Sequence, residues 1–219
     1  MRKPLLVIVS VVLLASGCAT SVTGRPVAGP APAPEAGQCK YGDDNSPGAA
    51  KPFGKPGADP DTGVSTIALN TNKGALTIQL DPTQGICSVQ SVRFLVAKKF
   101  YDGSTCHRLT TNPSLGVLQC GDPTGTGTGT PGYQFDDKLP ARGAYQRGVV
   151  AMANAGPGTN GSQFFIVHGS AQIDPDYPVV GKVTAGMEIV DQIVAGGVKG
   201  GSQDGQPATP LSITTATGK

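Results

Sequence analysis

Apolar and polar side chains alternate along Val64-Ser65-Thr66-Ile67-Ala68-Leu69 and again along Leu76-Thr77-Ile78-Gln79-Leu80. That period belongs to half-buried strands, and the turn-forming Asn72-Lys73-Gly74 lies between them. The period then changes. From Ile86 to Phe100, Val89, Val92, Leu95 or Val96, and Phe100 recur at helical spacing, with Ser88 or the residues before it placed to cap the start. Further strands are predicted at Thr105–Leu109, Leu115–Gln119, Gly148–Ala153, Ser162–Val167, Val179–Val183 and Leu211–Thr215. A second helix fits Met187–Val194, with Met187, Ile189 or Val190, and Ile193 or Val194 on one face. Many short strands with two helices imply a mainly β fold, a closed or nearly closed barrel capped at its ends.

One stretch departs from simple alternation. Met152–Ile166 opens as a strand, breaks at Asn154-Ala155-Gly156-Pro157-Gly158-Thr159-Asn160-Gly161, and closes on Ser162-Gln163-Phe164-Phe165-Ile166. Gly, Pro and Asn exclude a helix across the break. The amides Asn154 and Gln163 beside Phe164 and Phe165 suit a surface that grips a peptide backbone and an apolar ring together. An ordinary hairpin with both Phe residues in the core is the simpler alternative. Gly121–Gly132, nearly all Gly, Thr and Pro, has no Gly-Lys-Ser/Thr signature and no following helix, so it predicts a surface loop and not a phosphate cradle.

The pattern before residue 61 is different in kind. Arg2 and Lys3 precede a nearly unbroken apolar run from Leu5 to Ala15, short of the roughly twenty residues a membrane span needs. It has the form of a secretory signal. Its end, Leu14-Ala15-Ser16-Gly17-Cys18, resembles a bacterial lipobox, although Ala15 stands where Leu is commonest. The resemblance implies a signal over residues 1–17 and lipidation of Cys18. Residues 18–60 follow as a spacer, broken by Pro26, Pro30, Pro32, Pro34, Pro47, Pro52 and Pro56 and without an apolar period. Residues 61–219 form the domain. The chain is thus expected at the cell membrane, lipid-anchored and facing the extracytoplasmic side.

Composition adds two constraints. Of 17 Lys and Arg, removal of Arg2 and Lys3 leaves 15, equal to the 15 Asp and Glu. A neutral mature chain without basic runs gives no electrostatic footprint for nucleic acid. Setting Cys18 aside leaves Cys39, Cys87, Cys106 and Cys120, an even set that favours two disulfides in an exported protein, with three pairings open. No Cys-x-x-Cys pair supports a zinc or redox site. A bridge at Cys39 would pin part of the spacer to the folded body.

Phe100-Tyr101-Asp102-Gly103-Ser104-Thr105-Cys106-His107-Arg108, Gln119-Cys120-Gly121-Asp122-Pro123 and Met152–Phe165 together resemble the cyclophilins, peptidyl-prolyl cis–trans isomerases, over about Val64 to Thr217. The resemblance implies a closed eight-stranded antiparallel β-barrel with two capping helices, and an activity needing no metal or cofactor. It implies proline-containing polypeptides as partners and a monomer. By the same match Arg108 donates to the prolyl nitrogen, Gln119 orients Arg108, and Phe165 floors the proline pocket. Gln163 would hydrogen-bond the substrate backbone, and Asn154, between Ala153 and Ala155, would offer its carbonyl. Ile173 supplies a further apolar wall, Tyr177 stands where many members have His, and His107 supports the site without an acid–base task. His168 matches nothing functional.

The departures fall on the opposite wall. Leu109–Leu118 makes the connection three residues longer than usual, and Gly116-Val117 replaces a Phe-Met pair, with Leu115 as the candidate replacement for the aromatic ring. An unreplaced ring would weaken the pocket by about 1–2 kcal/mol. That loss would favour a catalytically weak proline-peptide-binding or chaperone module of the same fold. Gln172 falls near the position of a cyclosporin-contacting Trp, so cyclosporin binding is expected to be weak. If Arg108 and Gln119 pair across neighbouring strands, alternation sends Cys106 and Cys120 to opposite faces and argues against a bridge between them. The connectivity stays open.

Overall fold

The computed structural model describes residues 39–50 and 54–219. The predicted signal, the lipidation residue Cys18, the spacer as far as residue 38 and residues 51–53 lie outside the described residues. Among the described residues, β1 (Gly42–Asp43) is followed by β2 (Ser65–Thr71), β3 (Gly74–Leu80) and α1 (Ile86–Ala97). Then come β4 (Arg108–Asn112), β5 (Leu115–Cys120), β6 (Tyr133–Gln134), β7 (Val149–Met152), β8 (Phe164–Ala171) and β9 (Val179–Ala185). The chain ends with α2 (Met187–Gly196), β10 (Asp204–Gly205) and β11 (Ile213–Gly218). The main sheet runs β10-β4-β5-β8-β7-β9-β3-β2-β11, and its ladders are antiparallel.

The chain just before β4 closes that sheet onto β11. Gly103 N–H donates to Ile213 O at 2.8 Å, Ile213 N–H to Ser104 O at 2.8 Å, and Cys106 N–H to Leu211 O at 2.9 Å. The result is the expected mainly β barrel with two helices, with a two-residue strand, β10, added beside β4. Strand limits differ by a few residues from the predicted ones: β4 starts at Arg108, not Thr105, because residues 103–106 are engaged in closure.

Inside lies one apolar core that includes Leu69, Leu76, Ile78, Leu80, Leu95, Leu109, Leu118, Tyr133 and Ile166. Helix α1 buries Val89, Val92, Leu95 and Val96 against it. No side chain of its own caps this helix; Asp137 does so from a distant loop, accepting the Ser88 N–H at 2.6 Å. Burial pushes the Asp137 carboxyl up despite that hydrogen bond, because removal from water disfavours the charged form.

Two sequence expectations need correction. Residues 39–50 are not loose spacer: Cys39 is bridged to Cys87 on α1, and β1 pairs with β6. Tyr41 stacks edge-on against Tyr133 and Phe135, and its hydroxyl donates to Cys87 O at 2.9 Å. A cross-link over a sequence separation of 48 removes about 4 kcal/mol of unfolded-chain entropy, and it acts together with the β1–β6 pairing and the Tyr41 contacts to order this end of the segment. Cys106 and Cys120 are bridged to each other, contrary to the alternation argument. Alternation assumes regular strand on both sides, but Cys106 precedes β4, and Gly121, at φ +85°, turns the chain directly after Cys120. Both half-cystine side chains therefore face the interior, the residues 4% and 1% exposed.

Candidate active site

Residues directly opposite each other in antiparallel strands present their side chains to the same face. Arg108 of β4 pairs with Gln119 of β5, Gln119 with Phe165 of β8, and Phe165 with Ala151 of β7. These four positions form one row across the outside of the barrel. Val117 and Gln163, two residues from Gln119 and Phe165, extend the same face. A charged fork at one end of the row and an aromatic ring two strands away are thereby spaced by about 10 Å.

The polar end is a directed relay. Arg108 Nη1 donates to Gln119 Oε1 at 3.2 Å, Gln119 Nε2 donates to Gln163 Oε1 at 2.8 Å, and Gln163 Nε2 donates to Gly127 O at 3.0 Å and Gly129 O at 2.9 Å. Its polarity is dictated from both ends, since a guanidinium can only donate and a carbonyl can only accept. Gln163 therefore has both its N–H groups engaged by the loop, leaving Oε1 lone-pair capacity for a substrate N–H.

Asp204 of β10 completes the setting of Arg108, and nothing in the sequence pattern marked it. Its carboxylate accepts from Arg108 Nε at 2.8 Å and from Nη2 at 2.8 Å. This fork holds the Asp204 carboxyl below the usual carboxylate range and raises the Arg108 guanidinium further. Of the five guanidinium N–H groups, one on each Nη is left for a ligand. These groups border an open hollow of about 630 Å³ lined by His107, Arg108, Gln119, Thr126, Gly127 and Asp204.

His107 packs at the base of that hollow. Burial pushes its imidazole below the ordinary 6.5; nearby Asp122 opposes the shift and Arg108 reinforces it. The ring is thus neutral at physiological pH, with Nδ1 buried and unpartnered among the described residues. Asp122, 1% exposed, accepts from Thr124 N at 2.7 Å and Thr124 Oγ1 at 2.8 Å, and also from Gly127 N–H. Burial alone would raise its carboxyl, but the donors from Thr124, Gly127 and Gly129 outweigh that and lower it. The Gly-Thr loop is wound around this one carboxylate.

The apolar end is a second cluster, separate from the barrel core. Val117, Tyr145, Ala151, Phe165, Val167, Ala171 and Val179 form it, and Leu115, Ala153, Ile173 and Tyr177 pack on its margin. Phe165, Tyr145 and Tyr177 meet edge to face, with centroids 5.6 Å apart for Phe165–Tyr177 and 6.0 Å for Tyr145–Phe165. The Tyr145 hydroxyl donates to Tyr177 O and accepts from Tyr177 N–H, both at 2.9 Å. Tyr145 was invisible to sequence reading because its ring lies outside every recognised motif.

The sequence candidates are thus divided between two sides of one surface. Leu115 and Val117 do join the aromatic cluster, whereas the position between them has no room for a ring: a side-chain carbon on Gly116 would come 3.0 Å from His168 Cε1. Phe164 points the other way, into the core. The Asn154 side chain is engaged by its own loop and by the β8–β9 connection, donating to Asn160 Oδ1 and Asp176 O at 3.0 Å each and accepting from Gly156 N–H at 3.2 Å. Any part for Asn154 in holding a peptide thus falls to its backbone, and Ala155, exposed, sits on the same loop.

Residues 66–218 match the family described as Cyclophilin type peptidyl-prolyl cis-trans isomerase/CLD. The chain belongs to the cyclophilins. It is 45% identical over 163 residues to a Mycobacterium tuberculosis protein called probable peptidyl-prolyl cis-trans isomerase B, a match covering 68% of this chain and 53% of that one. The Mycobacterium leprae protein of the same name is 43% identical over 183 residues, covering 75% and 61%. This cyclophilin chain therefore spans just over half the length of those curated relatives. Its fold is similar to the crystal structure of a Cryptosporidium parvum cyclophilin type isomerase, with TM-score 0.62, 29% identity, and coverage of 72% of this chain and 98% of that one. That parasite protein was also crystallised in the presence of the dipeptide ala-pro, and this second structure has TM-score 0.60 and 30% identity to the present chain.

Proposed function

We propose that this cyclophilin accelerates rotation about X–Pro bonds in exported polypeptides, acting as a monomer outside the cytoplasm and held to the membrane by lipid on Cys18. One observation carries the catalytic part: the register row that sets Arg108, Gln119 and Phe165 side by side on one face. The export part rests on the apolar N-terminal run and its lipobox-like end, and the disulfides Cys39–Cys87 and Cys106–Cys120 suit an oxidising compartment.

The X–Pro bond turns slowly because rotation breaks amide resonance, at a barrier of about 18–20 kcal/mol. In the twisted transition state the prolyl nitrogen is pyramidal and carries a localised lone pair, which in either planar ground state is delocalised into the carbonyl. A proline ring seated against Phe165, Val117 and Ile173 would bring that nitrogen toward the two uncommitted N–H groups of Arg108. Donation to the lone pair stabilises the transition state selectively, which raises kcat. Asp204 and Gln119 hold the guanidinium plane, so little ordering is left for the moment of reaction. No proton is transferred, and neutral His107 is compatible with that.

A second reading, a proline-peptide-binding module with weak turnover, is favoured by Gly116, which leaves the pocket without its usual aromatic wall. Exchange NMR on an Ala-Pro peptide, comparing the native chain with Arg108→Ala, separates the two. Isomerisation predicts a fall of about 10²- to 10³-fold in kcat/KM for the variant. Equal rates would remove the mechanism. Peptide binding by the native chain without acceleration would select the binding module.

A further inference from the structure

The relay from Arg108 ends on Gly127 O and Gly129 O, two carbonyls in a loop that forms no ladder of its own there. Asp122 holds this loop from the barrel side. The opposite side is held by residues 44–50, which lie N-terminal to the segment that matches the family. Asp44 N–H donates to Gly132 O at 3.1 Å, and Asp44 Oδ2 accepts from Thr130 Oγ1 at 2.5 Å. Thr130 N–H donates to Gly48 O at 3.1 Å, and Ala50 N–H donates to Thr130 O at 2.9 Å. Gly48 lies against the Thr128 peptide, between the two carbonyls that end the relay; a side-chain carbon at Gly48 would strike the Thr128 carbonyl. Its φ lies outside the left-handed region, so it is lack of room that requires glycine there.

We propose that residues 44–50 are a positioning strap for the isomerase site, acting through the Gly-Thr loop on Gln163 and so on Gln119 and Arg108. The strap is tied to the body by the Cys39–Cys87 bridge and the Tyr41 contacts, and at its other end it fixes the height of the loop over Gln163. With the strap seated, Gly127 O and Gly129 O hold both Gln163 N–H groups and its oxygen faces Gln119. With the loop displaced, the amide is free to rotate and the orientation of the relay is no longer set. Asp44 and Gly48 touch no substrate and no reacting atom. They act entirely through the loop.

The inference rests on the proposed reading of the site, and three variants of the full chain separate the two. For turnover of an Ala-Pro peptide, Gly48→Ala is expected to raise KM about three- to tenfold, more than it lowers kcat, with Asp44→Ala moving both in the same direction by less. The side-chain amide resonances of Gln163 in a 15N-labelled sample should shift in both variants, a change that a merely structural contact 44–50 would not produce. Gln163→Ala should raise KM at least as much as Gly48→Ala. Native KM and native Gln163 resonances in both strap variants, with Gln163→Ala impaired, would overturn the strap. A native KM in Gln163→Ala would overturn the site reading and the strap together. Should Gly48→Ala fail to fold, Asp44→Ala, which removes only the side chain's hydrogen bonds from Thr130 Oγ1 and Ser46 N–H at a half-buried position, decides alone.

Discussion

Two apolar clusters are built from the same strands, and they differ in what they do. On β5, Leu118 enters the barrel core while Val117 faces out; on β8, Phe164 and Ile166 enter while Phe165 and Val167 face out; on β7, Val150 and Met152 enter while Ala151 faces out. The inner cluster is sealed by both helices and supplies most of the stabilising burial. The outer one is covered along one margin by half-buried side chains, Leu115, Ile173 and Tyr177, and this incomplete cover is what the proposed function assigns to a proline ring. Period-two alternation thus divides each strand between stability and recognition.

Neighbouring phenylalanines give the sharpest way to break this comparison. Phe164→Ala should cost about 3–5 kcal/mol of stability, read as a lowered urea midpoint, because it empties part of a sealed core. Its effect on kcat/KM per folded molecule should be small. Phe165→Ala should show the reverse balance: a smaller midpoint shift, and a loss of about 10- to 100-fold in kcat/KM from the missing pocket floor. Equal stability losses with native activity in Phe165→Ala would mean that the outer cluster is only core.

A weaker test addresses the polar end of the same face. Asp204→Asn removes the charge from the fork on Arg108 and leaves the barrel untouched. A fall of about fivefold in kcat/KM with an unchanged urea midpoint is expected from looser placement of the guanidinium. An unchanged rate would show that Gln119 alone orients Arg108.

The smallest effect concerns pH. His168 Nε2 donates to Thr110 O at 2.8 Å beneath the outer cluster's edge. Burial holds its imidazole below the ordinary 6.5, with the Thr110 carbonyl and Asp191 opposing and Arg147 reinforcing that shift. The unfolded chain therefore takes up the proton more readily than the folded one. Stability from this group is fully present above the ordinary value and is lost as pH falls through the depressed one. His107 has the same sign, whereas Asp137, with its raised carboxyl, has the opposite one. The test is consequently a difference: between about pH 7.5 and pH 5.5 the Tm of the native chain should decline more than that of His168→Gln. Parallel declines would remove His168 from the account.

Much of this division was legible before any coordinates. The strand alternation and both helices follow from local period, and the Arg108, Gln119, Gln163 and Phe165 set follows from the resemblance of three segments to the cyclophilins. Misplaced details share a cause, which is that the deciding contact came from a distant part of the chain. Asp137 caps α1 across 49 residues, Asp204 holds Arg108 across 96, and Tyr145 sets Tyr177 across 32. The Cys106–Cys120 bridge was argued against because strand alternation was carried past the point where barrel closure and the turn at Gly121 ended it.

By itself the sequence determined which side chains alternate, where the chain must turn, and which chemistry could be present, because these depend on residues a few positions apart. The tertiary structure alone decided that Arg108, Gln119, Phe165 and Ala151 share one row, since register depends on pairing between separate strands. It alone brought Asp204 to Arg108 and residues 44–50 to the Gly-Thr loop, where segments without period or motif acquire a role from what they touch. A short-range pattern carries no information about such encounters; closing the barrel creates them.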